Sequence, residues 1–303
     1  MNTYITINYV LLAIVFTFLF VEGMSAISFI YDRKSLPNVK KYLDPVWGIV
    51  GTFVVFFVVN TEVIYPAIMP SIDYMYVFPI LLATLLFIGR NVFLIFSEYI
   101  WKDSKFSQLM LARIYSLITF IIIIILLSIF ISIISGVGTN STLTGFSTTV
   151  FLSNPYILGF IAGTLLIALG LSFVFYKIEK MKFLSPISTI FGLLLFVFSI
   201  NRLGLNVNYI TYVLGAAIAL ISIFYYATGK ARRETVFIAV FLSVISINFL
   251  NYGKVFGVDS LTSYLNNSAV SYASILVTVV GGLLLTAMLL FFLYMYRLPN
   301  KEQ

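Results

Sequence analysis

Three ionisable side chains stand inside stretches that are otherwise apolar: Glu22, Glu62 and Arg90. Ionisable groups are costly in hydrocarbon, so each is a candidate for carrying protons or facing a polar cofactor. Glu22 and Arg90 lie eight and seven residues from the same-side ends of their stretches, roughly 11–12 Å into an apolar layer at 1.5 Å per residue. Opposite charges at matching depth are expected to pair, because pairing offsets two desolvation penalties. Such a pair reads either as a clamp between two helices or as a proton-carrying, cofactor-facing site. Glu62 has no basic residue at its depth. It is expected to be protonated or to be reached by Lys254 or water, and it suits a proton exit, a quinone-facing acid or a wet helix end near Pro66.

What is missing limits the chemistry as much. The 303 residues include no histidine and no cysteine. Disulfides, thiolate nucleophiles, imidazole bases and most zinc, copper or iron–sulfur sites cannot be built from this chain. A redox metal would take its strong ligands from another polypeptide.

The elements that must position these residues follow from composition. Hydrophobic residues make up 61% of the chain and charged residues 10%, so lipid is the expected solvent. At about 20 apolar residues per crossing, nine transmembrane helices are expected, over 4–30, 47–69, 72–97, 110–135, 150–176, 184–200, 207–227, 235–256 and 268–296. The first is not a cleavable signal peptide, since it has no basic n-region and is too long.

Basic residues set the orientation. Arg33, Lys34, Lys40, Lys41, Lys102, Lys105, Arg113, Lys177, Lys180, Lys182, Lys230, Arg232, Arg233, Arg297 and Lys301 all fall on one face of the nine-span arrangement. Only Arg202 and Lys254 fall on the other. The N-terminus is expected outside and the C-terminus in the cytoplasm. The net charge of +7 is thereby explained by topology, and nucleic acid is not an expected partner. Gly159 with Gly163, Gly48 with Gly51, and the pair Gly281–Gly282 are read as helix contacts, and Pro79 as a kink in the third span. Met24 and Met288 could serve as axial haem ligands only beside histidine partners, which the chain lacks.

The order and spacing of several short segments carry a more specific signal. Asp44-Pro45-Val46-Trp47 opens the second span, Tyr65-Pro66 closes it, and Gly89-Arg90-Asn91-Val92-Phe93 closes the third. Val21-Glu22-Gly23-Met24-Ser25 ends the first, Leu152-Ser153-Asn154-Pro155-Tyr156 begins the fifth, and Ser260-Leu261-Thr262-Ser263-Tyr264 precedes the last. Together these segments resemble subunit II of the cytochrome bd-type quinol oxidases.

That resemblance implies two four-helix bundles, over 4–135 and 150–256, and a ninth peripheral helix at 268–296, in one transmembrane domain of the cell membrane. It also implies a haem-bearing subunit I as heterodimer partner, carrying haems b and d, oxidising quinol and reducing dioxygen to water. Small accessory membrane subunits are further expected partners. This chain would brace subunit I and line a proton or gas route, with Glu22 and Arg90 as retained family positions beside Gly23, Ser25, Pro45, Trp47, Pro66, Asn154 and Pro155. Two departures bear on protons: Ser25 and Gly48 stand where the family usually has acids. The alternatives are a secondary transporter, which the intramembrane charges allow, and a non-catalytic scaffold of a respiratory complex. Against the transporter, the sequence shows no clearly broken helix pair and no inverted repeat.

Overall fold

A computed structural model describes residues 2–31, 36–96, 105–140, 143–259, 261–266 and 269–295. Among the described residues, eleven α-helices follow in chain order: α1 Thr3–Tyr31, α2 Leu36–Ile64, α3 Met69–Met75, α4 Val77–Ile95, α5 Lys105–Ser135, α6 Thr148–Ser153, α7 Pro155–Tyr176, α8 Leu184–Arg202, α9 Tyr209–Thr228, α10 Arg233–Leu250 and α11 Ala269–Met295. A hairpin of two antiparallel strands, β1 Lys254–Val255 and β2 Val258–Asp259, and a 3₁₀ turn at Leu261–Tyr264 lie between α10 and α11.

Among the described residues, seven helices are long and apolar enough to cross a membrane, and the bent pair α3–α4 makes eight if counted as one span. The second expected span falls on α2, whose apolar stretch among the described residues, Val50–Ile64, is shorter than those, and the ninth falls on α11. The chain is a multi-pass membrane protein.

The local chemistry of the ends explains the boundaries. α2 stops at Ile64 because Pro66 disfavours helical backbone at Tyr65. Asn154 caps α7, its Oδ1 accepting from the N–H groups of Tyr156 (2.9 Å) and Ile157 (3.3 Å), with Pro155 in the first helical position. Asn208 caps α9 in the same way, and Gly229 ends it at φ 66°.

α1 is apolar on every face and accordingly runs through the middle, packed against α2, α5, α7 and α10. The most extensive helix contact is α7 on α8. A Cβ on Gly163 would lie 2.7 Å from the Phe196 nitrogen, and one on Gly192 2.7 Å from the Ile167 nitrogen, so the two backbones touch. Small residues permit that approach where lipid supplies no hydrophobic drive between helices. α11 packs along α2, where Asn60 Oδ1 accepts from Ser274 Oγ (3.0 Å) and Thr278 Oγ1 (2.8 Å).

Four expectations need correction. The third span is a broken pair, α3 and α4 meeting at 78°, so a broken helix is present after all. Its cause is legible: Pro79 has no N–H for the Met75 carbonyl, and the break falls at Tyr76. The fifth span likewise divides at Asn154 into α6 and α7, and the eighth ends at Leu250 rather than 256. Pro45 and Trp47 do not open the second helix, which starts at Leu36 and carries both inside it.

Candidate functional site

Glu22 on α1 and Arg90 on α4 form a direct ion pair, Arg90 Nη1 donating to Glu22 Oε2 at 2.8 Å. The carboxylate is fully buried and the arginine 1% exposed. The guanidinium lies over the Phe87 ring, 4.6 Å from its centroid, with the Tyr115 ring of α5 at 5.6 Å. Arg90 Nε also donates weakly to Asn91 Oδ1 at 3.5 Å. Two aromatic faces therefore supply much of the surroundings that water would otherwise give the cation.

The pair is not fully satisfied. Glu22 Oε1 and Arg90 Nη2 have no hydrogen-bond partner among the described residues. The arrangement fixes α1 to α4 and leaves one oxygen and one nitrogen of the pair unpaired in the apolar layer.

The flanking motif positions do different work. Gly23 brings α1 against α5, since a Cβ there would lie 3.0 Å from Ile123 Cδ1. Ser25, at the usually acidic position, turns its hydroxyl back to the Glu22 carbonyl of its own helix. Gly48, Pro45 and Trp47 lie within α2. Pro66 is exposed in the turn after α2, and Asn154 and Pro155 serve the start of α7.

Glu62 is not part of this cluster. It is exposed, two residues before α2 ends, on a face shared with Val55, Val58 and Val59. Lys254 does not reach it, and donates instead to the Gly204 carbonyl at 2.8 Å.

Behind Gly23 lies an apolar cavity of about 140 Å³, lined among others by Phe20, Ile123, Phe160, Thr164, Gly215 and Asn248. It sits among α1, α5, α7, α8, α9 and α10, and Gly23 is the wall it shares with the segment bearing Glu22.

No family model matches the sequence, and no curated protein matches it. The fold gives a clear result. The chain is similar to a chain in the structure of bd oxidase from Geobacillus thermodenitrificans, with a TM-score of 0.72 and 17% identity, covering 99% of this chain and 100% of that one. This chain has the bd oxidase fold.

Seen on the bd oxidase fold, the residues of this chain do not fit an axially ligated haem. There is no imidazole or thiolate, Met24 is packed into the core, Met288 is exposed on α11, and neither lines the cavity. Among the described residues, no group of three or more acidic side chains could hold a metal ion.

The sequence pointed to the two charges but not to what surrounds them. Phe87 and Tyr115 looked like ordinary members of apolar runs. Their only signal was an aromatic residue three positions from a buried arginine, which on a helix places a ring beside the cation.

Proposed function

We propose that this chain is the haem-free subunit II of a cytochrome bd-type quinol oxidase in the cytoplasmic membrane. Its N-terminus lies outside, and its helices form two four-helix bundles, 4–135 and 150–256, with α11 at the periphery. Its partner is a haem-bearing subunit I that oxidises quinol and reduces dioxygen, with small accessory subunits as further partners. The observation that carries this reading is the end-to-end fold likeness to a bd oxidase chain, found in a chain that has no histidine. The motif spacing from Pro45 through Pro66 to Arg90 supports it, as does the one-sided distribution of basic residues.

In this role the chain contributes structure and passage rather than catalysis. Glu22 and Arg90 hold α1 to α4, and Glu22 is the residue of this chain placed to serve a proton route. The apolar cavity beside Gly23 suits a small apolar molecule such as dioxygen. With Ser25 bonded to its own helix and Gly48 carrying no acid, Glu22 is the one acid retained from the family's set.

The 78° break between α3 and α4 favours a secondary transporter as the second reading, because broken helices build transport sites. Purification of the tagged chain in mild detergent separates the two. Co-elution of a second large membrane subunit with b- and d-type haem absorbance is expected. A colourless chain that elutes alone and supports substrate-dependent uptake overturns the oxidase reading.

A further inference from the structure

At the end of the molecule that carries the basic loops, a groove of about 550 Å³ opens between the C-terminal ends of α7 and α9 and the start of α10. Its polar wall is Lys177, Lys230, Arg232 and Thr235, and its apolar wall includes Leu220 and Phe224. No ion pair or side-chain hydrogen bond ties up Lys177, Lys230 or Arg232 among the described residues. Neighbouring Arg233, by contrast, is used within the fold, donating to the Phe175 carbonyl at 2.9 Å and lying over the Phe175 ring.

Topology alone explains lysines and arginines at this end, but not their arrangement. Three features go beyond it. The three cations line one concavity rather than scattered loop tips. Lys177 holds the left-handed C-cap of α7 at φ 54°, a position usually taken by glycine or asparagine. The start of α10 borders the groove at Arg232 and Thr235 and has no side-chain cap, although Glu234 in its first turn offsets part of its dipole. Glu179 and Glu234 are the nearby carboxylates by sequence, and neither lines the groove.

The apolar wall shows which kind of anion fits. Leu220 and Phe224 are 63% and 57% exposed on α9, a helix long and apolar enough to cross the membrane, so the groove runs directly from charged wall to lipid-facing surface. We infer that this groove binds the phosphodiester head group of an anionic phospholipid, held by Lys177, Lys230 and Arg232, with its acyl chains lying along Leu220 and Phe224. A free phosphate would use the cations and leave the apolar wall idle. A zwitterionic lipid would bring its own cation into a site already holding three.

The test uses the whole detergent-solubilised complex after delipidation, titrated with dioleoylphosphatidylglycerol, dioleoylphosphatidylcholine or inorganic phosphate. Native mass spectrometry should show phosphatidylglycerol retained where phosphatidylcholine is not, and the K177Q/K230Q/R232Q variant should lower that retention at least about tenfold. A second measurement needs no variant. Acylation of Lys177 and Lys230 by an amine-reactive reagent, read by peptide mass spectrometry, should slow when phosphatidylglycerol is present, and that of Lys254 should not. Equal retention of both lipids, unchanged lysine reactivity, or displacement of the lipid by millimolar inorganic phosphate overturns the inference.

Discussion

Gly51 of α2 makes room for Phe87 of α4: a Cβ at Gly51 would stand 3.2 Å from the ring's Cζ, and that ring is the one beneath the Arg90 guanidinium. The missing side chain on one helix thus seats the aromatic face that stabilises a buried cation on another. Replacing Gly51 by leucine must displace Phe87 or separate α2 from α4. The expected cost is about 1–3 kcal/mol, as for overpacking elsewhere. It should appear as a lower melting temperature of the purified complex, whereas Gly89→Ala, with nothing within 4 Å of its Cβ, should leave that temperature unchanged.

The Glu22–Arg90 pair predicts an asymmetry between single and double substitutions. Removing one partner leaves the other charge buried and unpaired, at a cost of about 3–5 kcal/mol. Arg90→Met alone should therefore sharply reduce the assembled complex recovered from membranes. The double variant Glu22→Gln/Arg90→Met removes both charges and should recover most of that loss. Equal damage from single and double variants would show that the aromatic packing of Arg90, not its charge, matters.

Glu22→Gln alone addresses protons. Glutamine can still accept from Arg90 but cannot carry a proton. If the proposed oxidase draws protons past Glu22, turnover per haem of the assembled variant complex, measured as quinol-dependent oxygen uptake, should fall several-fold. Unchanged turnover per haem would confine Glu22 to the clamp.

These predictions draw unevenly on what the sequence made legible. Glu22 and Arg90 stood out because a charge in an apolar run is costly and therefore conspicuous. The helices were legible for the same reason, since long apolar runs leave few alternatives in lipid. Phe87 and Tyr115 were not, because aromatic residues are common in membrane helices and only the fold brings three helices to one guanidinium; Gly51 was legible as a helix contact, but not its partner. The hairpin at Lys254–Asp259 was invisible as well. Its strands are two residues each and are held from outside, the N–H groups of Phe256 and Gly257 donating to the Ile133 and Ile134 carbonyls of α5. Glu62 shows the converse. The apolar span read from the sequence runs to residue 69, but α2 ends at Ile64, which places the carboxylate almost at the helix end.

Asn154 offers a test of local structure that is independent of the charged pair. Its side chain satisfies two of the N–H groups that α7 leaves open at its start. Asn154→Ala should cost about 1 kcal/mol, while Asn154→Asp or Asn154→Ser should keep most of the cap. Thermal unfolding of the three variants checks the order. If alanine is as stable as aspartate, the break between α6 and α7 is fixed by Pro155 alone.

The cavity beside Gly23 gives the last prediction. At about 140 Å³, with Phe, Leu and Ile over most of its wall, it has the size and chemistry of cavities that admit xenon or small apolar gases. Xenon-pressurised crystals of the complex should show a site among Phe20, Phe160 and Gly215. A Cβ at Gly215 would have ordinary contact with Leu193 at 3.5 Å, so a larger side chain can enter there without forcing the backbones apart. Gly215→Leu should abolish the xenon site. If the cavity lies on the route dioxygen takes through the proposed oxidase, the same variant should raise KM for oxygen with little change in kcat, since it narrows access and leaves the chemistry in the partner untouched. Loss of xenon with an unchanged KM would leave a real cavity that gas does not need, and a lowered kcat would point instead to altered packing between α9 and α8.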